Sequence, residues 1–302
     1  MTNKPQAIAD SSFVIRHSSF LQPSYAYCER LARREAGNFF HAFQVLPRAQ
    51  RRAMCALYAF MRHTDDLADG PGAVEIKRAA LKQWRADLYA ALAGDDRHPL
   101  HPALRHTLNR FAVPIEHLND VIDGCETDVE PVRMPDFATL YRYCYRVASA
   151  VGLCCIHIWG FRDDAAKLWA EHGGIALQLT NILRDLPEDT ANGRVYLPAE
   201  DLDRFGCRPE TLGRPTDPAF RALMWFQVDR ARGFYHSAER LTPFLEPPGR
   251  AVFQVILRTY RGLLDEIERR EFDVFRGRVR LSPWRKAALV LRALPVRWGW
   301  VA

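Results

Sequence analysis

The stretch Ala53-Met54-Cys55-Ala56-Leu57-Tyr58-Ala59-Phe60-Met61-Arg62-His63-Thr64-Asp65-Asp66-Leu67-Ala68-Asp69 decides the fold class. Ala53, Leu57, Phe60 and Met61 recur at the spacing of one helical face. Asp65 and Asp69, four apart, put both carboxylates on one face if the helix continues. Like charges at that spacing destabilise a bare helix, and a divalent cation between them removes the penalty. Hard oxygen ligands presented this way suit magnesium, which takes its remaining ligands from water and phosphate. The competing reading is a solvated helix end before the Gly70-Pro71-Gly72 turn.

A second segment, Gln178-Leu179-Thr180-Asn181-Ile182-Leu183-Arg184-Asp185-Leu186-Pro187-Glu188-Asp189, repeats the pattern about 120 residues later. Gln178, Asn181, Asp185 and Asp189 step by three, four and four along one face, beside the apolar Ile175, Leu179, Ile182 and Leu183. A polar stripe next to a core face needs partners, and a metal–diphosphate cluster provides them. Arg184 adds a donor fork that matches phosphate. Pro187 ends or kinks the helix, which fixes Asp189 less firmly than Asp185.

The rest of the chain is helical in period, and no alternating strand pattern competes. Breaks fall near Gly70–Gly72, Asp95–Pro102, Pro131–Pro135, Arg194–Pro198, Gly206–Pro218 and Pro243–Gly249. The expectation is an all-α chain of eight to ten helices around a central cavity. Residues 1–20 read as a disordered leader, 21–280 as one domain, and 281–302 as a basic, Trp-rich tail.

The 302 residues are 48% hydrophobic, enough for a large core, and carry a net charge of +6. Seven basic residues and no acid lie between Val274 and Ala302, so the body is near neutral. That argues against a nucleic-acid binder, which spreads basic residues over a docking face. Trp284, Trp298 and Trp300 stand among those charges. Two readings fit the tail: contact with an anionic membrane surface, or a solvated terminal helix packed by one apolar face. No apolar run is long enough to span a membrane. The seven cysteines, odd in number and without a CxxC pair, read as buried thiols of a cytoplasmic protein.

Two aspartate motifs facing each other across an apolar cavity point to metal-triggered loss of diphosphate. Aromatic faces would then steady the carbocation. At this point the residues resemble the squalene/phytoene synthases, the head-to-head isoprenyl diphosphate synthases. The resemblance runs from Tyr25 to Phe275 on five ordered stretches. These are Asn38-Phe39-Phe40-His41-Ala42-Phe43 with Leu46-Pro47; Ala56–Arg62 leading into Asp65–Asp69; Tyr143–Gly152; Ala176–Asp185 with Glu188-Asp189; and Gly193-Arg194-Val195-Tyr196-Leu197-Pro198.

The resemblance implies the isoprenoid synthase helical bundle, a prenyltransferase activity and two or three magnesium ions; NADPH stays open. It implies that Asp65 and Asp69 bind the magnesium of one diphosphate, and Asn181, Asp185 and Asp189 that of the other. Arg62, Arg184 and Arg276 would contact phosphate, with Gln178 at the metal rim. Tyr143 would handle the proton lost as a cyclopropane closes, and Tyr58, Tyr196 and Tyr260 would surround the cavity. Phe39 and Val147 would line the prenyl chains. One departure is visible: many members carry serines where this chain reads Glu35-Ala36-Gly37-Asn38, leaving Asn38 as the substitute donor. The overall resemblance favours two farnesyl diphosphates condensing through presqualene diphosphate to a 30-carbon product. The alternatives are phytoene synthesis from two geranylgeranyl diphosphates and a non-catalytic assembly-factor relative. The expected partner is a prenyl diphosphate, with no nucleic acid, in a monomer or weak dimer. The expected location is the cytoplasm, with a peripheral contact at the membrane's inner face.

Overall fold

The computed structural model describes residues 11–213 and 215–300. The first ten residues of the expected leader lie outside the described residues. From Ser11 the chain is helical: α1 (Ser11–Glu35), α2 (Gly37–Phe43), α3 (Arg48–Asp69), α4 (Val74–Leu92), α5 (His101–Phe111) and α6 (Ile115–Thr127). There follow α7 (Phe137–Cys144), a π-helical turn at Tyr145–Ser149, α8 (Ala150–Trp159), α9 (Ala166–Arg184), α10 (Leu186–Ala191) and α11 (Ala199–Arg204). Then come α12 (Pro218–Ala238), a 3-10 turn at Glu239–Phe244, α13 (Pro247–Arg269) and α14 (Pro283–Arg297). Among the described residues only two isolated β-bridges occur, Arg133 with Val195 and Phe161 with Leu245. The all-α reading holds. The expected count was low because α2, α7, α10 and α11 have eight residues or fewer, too short to show a period.

Local chemistry sets the helix ends. Asp136 caps α7 by accepting from the Thr139 amide at 2.7 Å, and Asp217 caps α12 from Ala219 at 2.9 Å. Pro218 and Pro283 sit in the first turns of α12 and α14, where a missing N–H costs nothing.

Helix α9 is the hub, packed against α8, α12, α13 and the π turn. Its Gly174 makes the closest approach: an added Cβ would lie 2.4 Å from the Ser149 Cα. Only a residue without a side chain lets the π turn seat there. Ser149 Oγ then donates to the Glu171 carbonyl at 2.7 Å. Helix α3 packs against α1, α4, α5 and α6 on the other side. All seven cysteines are buried free thiols, and no described helix is long and apolar enough to cross a membrane.

Between α3, α4 and α5, Trp84 is ringed by His63, His98 and His101, with centroids at 4.4, 5.5 and 5.1 Å. Burial lowers the pKa of all three histidines, His98 to about 4. A depressed folded pKa means that stability present above the unfolded value, about 6.5, is lost as pH falls towards 4. His98→Gln should flatten the acid limb of a thermal-stability profile by ~1–2 kcal/mol after solvent screening. An unchanged profile would refute the assignment.

Candidate active site

Helices α2, α3, α8, α9 and α13, with the π turn, enclose a cavity of about 350 Å³. Each wall contributes residues three or four apart, because only one face of each helix looks inward. On α3, Asp65, Met61, Tyr58, Leu57 and Met54 descend from the mouth, a depth of about 16 Å at 1.5 Å per residue. On α9 the row is Asn181, Gln178, Leu177, Gly174, Gly173 and Ala170. The third row runs from Tyr143 through Val147, Ala148, Val151 and Gly152 to Trp159, where Phe253 and Leu241 also stand. Oxygen-bearing side chains gather at one end and carbon at the other.

The first motif lies at the mouth. Asp65 keeps one face open to the cavity while protein crowds it elsewhere. That desolvation pushes its pKa up to about 7, although the Cys125 thiol donates to Oδ1 at 3.3 Å. Asp69 pairs with Arg194 at 2.8 Å. Arg62 is taken by Asp66, 2.7 Å away, one turn along α3.

The residue that organises this region is one that sequence reasoning did not single out, Asp128. It follows the last turn of α6 and lines the cavity beside Asp65. Its carboxylate accepts from the Tyr143 hydroxyl at 2.8 Å and the Tyr196 hydroxyl at 2.6 Å, and the two rings stack at 4.9 Å. Burial raises Asp128 to about 6, against the pull of both phenols and Arg194. Burial, then the adjacent carboxylate, holds Tyr143 well above the ordinary phenol range, so it stays neutral. The Val195 amide donates to the Val132 carbonyl at 3.0 Å and Ala199 to Met134 at 2.8 Å. These bonds fasten the loop after Asp128 to the segment carrying Tyr196.

Arg194, to which the resemblance assigns no role, joins the two motifs. Its Nη2 donates to Asp69 and to the Asp128 carbonyl, both at 2.8 Å. It also pulls down Asp189, whose pKa burial and the neighbouring Asp185 raise to about 7.

In the second motif Asp185 receives Arg184 Nε at 2.9 Å and Arg278 Nη2 at 3.4 Å. Arg184 also contacts Tyr260, whose ring meets Phe39 at 5.5 Å. Pro187 does break the helix: α9 stops at Arg184 and α10 starts at Leu186. Yet the Asp189 amide still donates to the Asp185 carbonyl at 2.9 Å. Pro187 sits in the first turn of α10, so the axis bends without losing the ladder.

Two expected residues are not brought in. Arg276 is 89% exposed and pairs with Asp273 at 2.7 Å. Two residues on, Arg278 stands against Asp185 in its place. Asn38 is half-buried on α2 and is not among the cavity-lining residues. Glu35 is paired with Arg34.

The donor set fits magnesium in one mode. Among the described residues no three Asp, Glu, His or Cys side chains converge closely enough to hold an ion alone. Magnesium, however, takes one or two protein carboxylates and completes its shell with phosphate and water. Asn181 Oδ1 is buried without a hydrogen-bond partner, while Nδ2 donates to Gln178 at 3.3 Å. An orphaned buried oxygen is costly, and a cation beside Asp185 would remove that cost.

The comparisons with known proteins agree with this geometry. A family model described as squalene/phytoene synthase matches residues 32–285. A phytoene synthase of Arthrospira platensis is 39% identical, covering 87% of this chain and 90% of its own length. A 15-cis-phytoene synthase of Synechococcus elongatus is 37% identical, with 91% and 92% covered. Among solved structures, a dehydrosqualene synthase superposes with a TM-score of 0.84 at 27% identity, covering 92% and 97% of the two chains. A squalene synthase of Alicyclobacillus acidocaldarius gives 0.78 at 27% identity, covering 84% and 96%. The chain belongs to the squalene/phytoene synthase family of head-to-head prenyltransferases.

Proposed function

We propose that the chain joins two geranylgeranyl diphosphates head to head and forms a 40-carbon hydrocarbon of the phytoene type. The observation that carries this is the 37–39% identity to phytoene synthases over about nine-tenths of the chain. The relatives named for squalene and dehydrosqualene are more distant, at 27%. The 30-carbon preference of the sequence reading therefore gives way to its alternative. The cavity suits a long chain, because Ala148, Gly152, Gly173, Gly174 and Ala170 leave its middle clear down to Trp159.

Asp65 and Asp69 would hold magnesium on one side, and Asn181, Asp185 and Asp189 on the other. When bound, magnesium supplies the positive charge that lets the carbon–diphosphate bond break. Arg184, Arg194 and Arg278 stand where diphosphate oxygens would lie, adding charge-assisted donors. The apolar walls exclude water from the cation, and the faces of Tyr58 and Tyr143 steady it. The C2–C3 double bond of the second substrate attacks, and one proton must leave as the cyclopropane closes. Tyr143 accepts that proton on its oxygen while passing its own to Asp128, 2.8 Å away. The carbon loses a proton and Asp128 gains one, so the step balances. The cyclopropyl diphosphate then loses its own diphosphate, the resulting cation rearranges as the ring opens, and a final proton loss ends the reaction in a double bond and needs no reductant.

Incubation with magnesium and either prenyl diphosphate, followed by mass spectrometry, tests this. The expected result is a 40-carbon hydrocarbon without NADPH, made at least about tenfold faster than any product from farnesyl diphosphate. A 30-carbon main product would overturn the chain-length assignment and leave the head-to-head chemistry standing.

A further inference from the structure

Helix α14 has two apolar faces, and the fold uses one. Leu289, Ala293 and Val296 turn towards α13, with Ala293 and Val296 buried. On the opposite side Trp284, Ala287, Ala288, Leu291 and Trp298 fall at i, i+3, i+4, i+7 and i+14, again one helical stripe. This stripe is open: Trp284 is 85% exposed, Leu291 65%, Trp298 53%, and the following Trp300 75%. Surface-exposed large apolar residues are ordinary when scattered, but a contiguous row marks a contact.

Charge stands along the edge of that row. Arg285 and Arg292 lie between the open stripe and the buried one, and with Arg258 and Arg261 of α13 they line a cleft of about 480 Å³. Arg261 is engaged by Glu239, and the cleft's one acid, Asp265, lies 3.8 Å from Arg232. Arg258, Arg285 and Arg292 have no ion-pair partner among the described residues. From Val274 to the last residue the sequence contains no acid at all.

We infer that the outer face of α14 docks the enzyme on an anionic lipid bilayer, the Trp284–Leu291–Trp298 stripe entering the acyl boundary while the arginine cleft takes lipid phosphate. Three indoles beside unpaired guanidiniums match the chemistry of a bilayer interface, apolar below and anionic above. A protein partner of the same charge would need acids complementary to a cleft of arginines, but it would not explain a stripe of indoles open along the whole helix. The siting is also economical. Helix α2 packs against both α13 and α14, and its Phe39 and Phe43 line the cavity. Only α14 itself and the layer beneath it therefore stand between the lipid face and the prenyl chains. A head-to-head product is a hydrocarbon without a diphosphate, which water does not dissolve.

The test is flotation of the full-length protein with vesicles of phosphatidylcholine alone or mixed with phosphatidylglycerol. The parent should bind the mixed vesicles, with a blue-shifted tryptophan emission, and bind the neutral ones at least about tenfold less. Arg285→Gln with Arg292→Gln should erase that preference and its salt sensitivity. Trp284→Ala with Leu291→Ala should cut binding to both kinds of vesicle about tenfold or more. Both variants should keep the parent's helical circular dichroism and its turnover of detergent-dispersed substrate, since neither pair touches the cavity. Three results would overturn the inference: no binding by the parent, equal binding by parent and variants, or a concentration-dependent dimer lost on Trp284→Ala with no lipid effect. The last would assign the stripe to a second copy of the chain.

Discussion

Asp128→Asn lowers kcat by about 10²- to 10⁴-fold, the range expected when a positioned proton acceptor is lost, while the helical fold persists. The carboxylate receives two phenols at once, Tyr143 at 2.8 Å and Tyr196 at 2.6 Å. An asparagine offers one oxygen and an NH2 group, so one buried phenol loses its acceptor. That costs about 1–3 kcal/mol locally and leaves Tyr143 with nowhere to pass its proton. Tyr143→Phe should produce a similar fall by removing the other half of the relay. The double variant should be little worse than either single one, because both break the same path. Near-additive losses would show that the two residues act separately. The measurement is single-turnover kinetics with saturating magnesium, read as release of diphosphate and appearance of hydrocarbon.

Asp185→Asn has the second large effect, a fall in turnover of about 10³-fold or more, since several kcal/mol of charge stabilisation depends on the metal. Asp185 sits beside the orphaned Asn181 oxygen and between Arg184 and Arg278. Removing its charge leaves two arginines facing one another and removes a hard oxygen ligand. A readout independent of activity is available. Magnesium with inorganic diphosphate should raise the melting temperature of the parent, because a ligand that binds only the folded state stabilises it. Asp185→Asn should lose that rise. Retention of the full shift would remove Asp185 from the metal site.

Much of the fold was legible because long helices write a period. The stripe of Ala53, Leu57, Phe60 and Met61 is buried on α3, and Ile175, Leu179, Ile182 and Leu183 on α9. The aspartate pairs were legible for the same reason, since spacing on a helix is geometry. What escaped is what sits between helices. Asp128 lies just past α6, where no period says which way a side chain turns; only its neighbours across the fold reveal it. Arg278 stands where Arg276 was expected because both lie in the loop between α13 and α14, which has no helical register to say which side chain turns inward. The second face of α14 was hidden for a different reason: its apolar residues are divided between two stripes, and the sequence does not say which stripe the core takes.

The π turn at Tyr145–Ser149 has a consequence for how this sequence can change. A π turn is one residue more than an α-helix needs over the same rise. Tyr143, two residues before it, and Val151 beyond it both face the cavity across that surplus. Because the turn absorbs that surplus locally, losing one of the five residues would let α7 run into α8 as one regular α-helix, with Tyr143 and Val151 still on the cavity side. What such a deletion would forfeit is the wide turn itself, which seats Ser149 against Gly174 of α9. Between Cys144 and Ala150, then, the chain can shorten without turning the cavity wall, and the contact with α9 is what holds the extra residue in place.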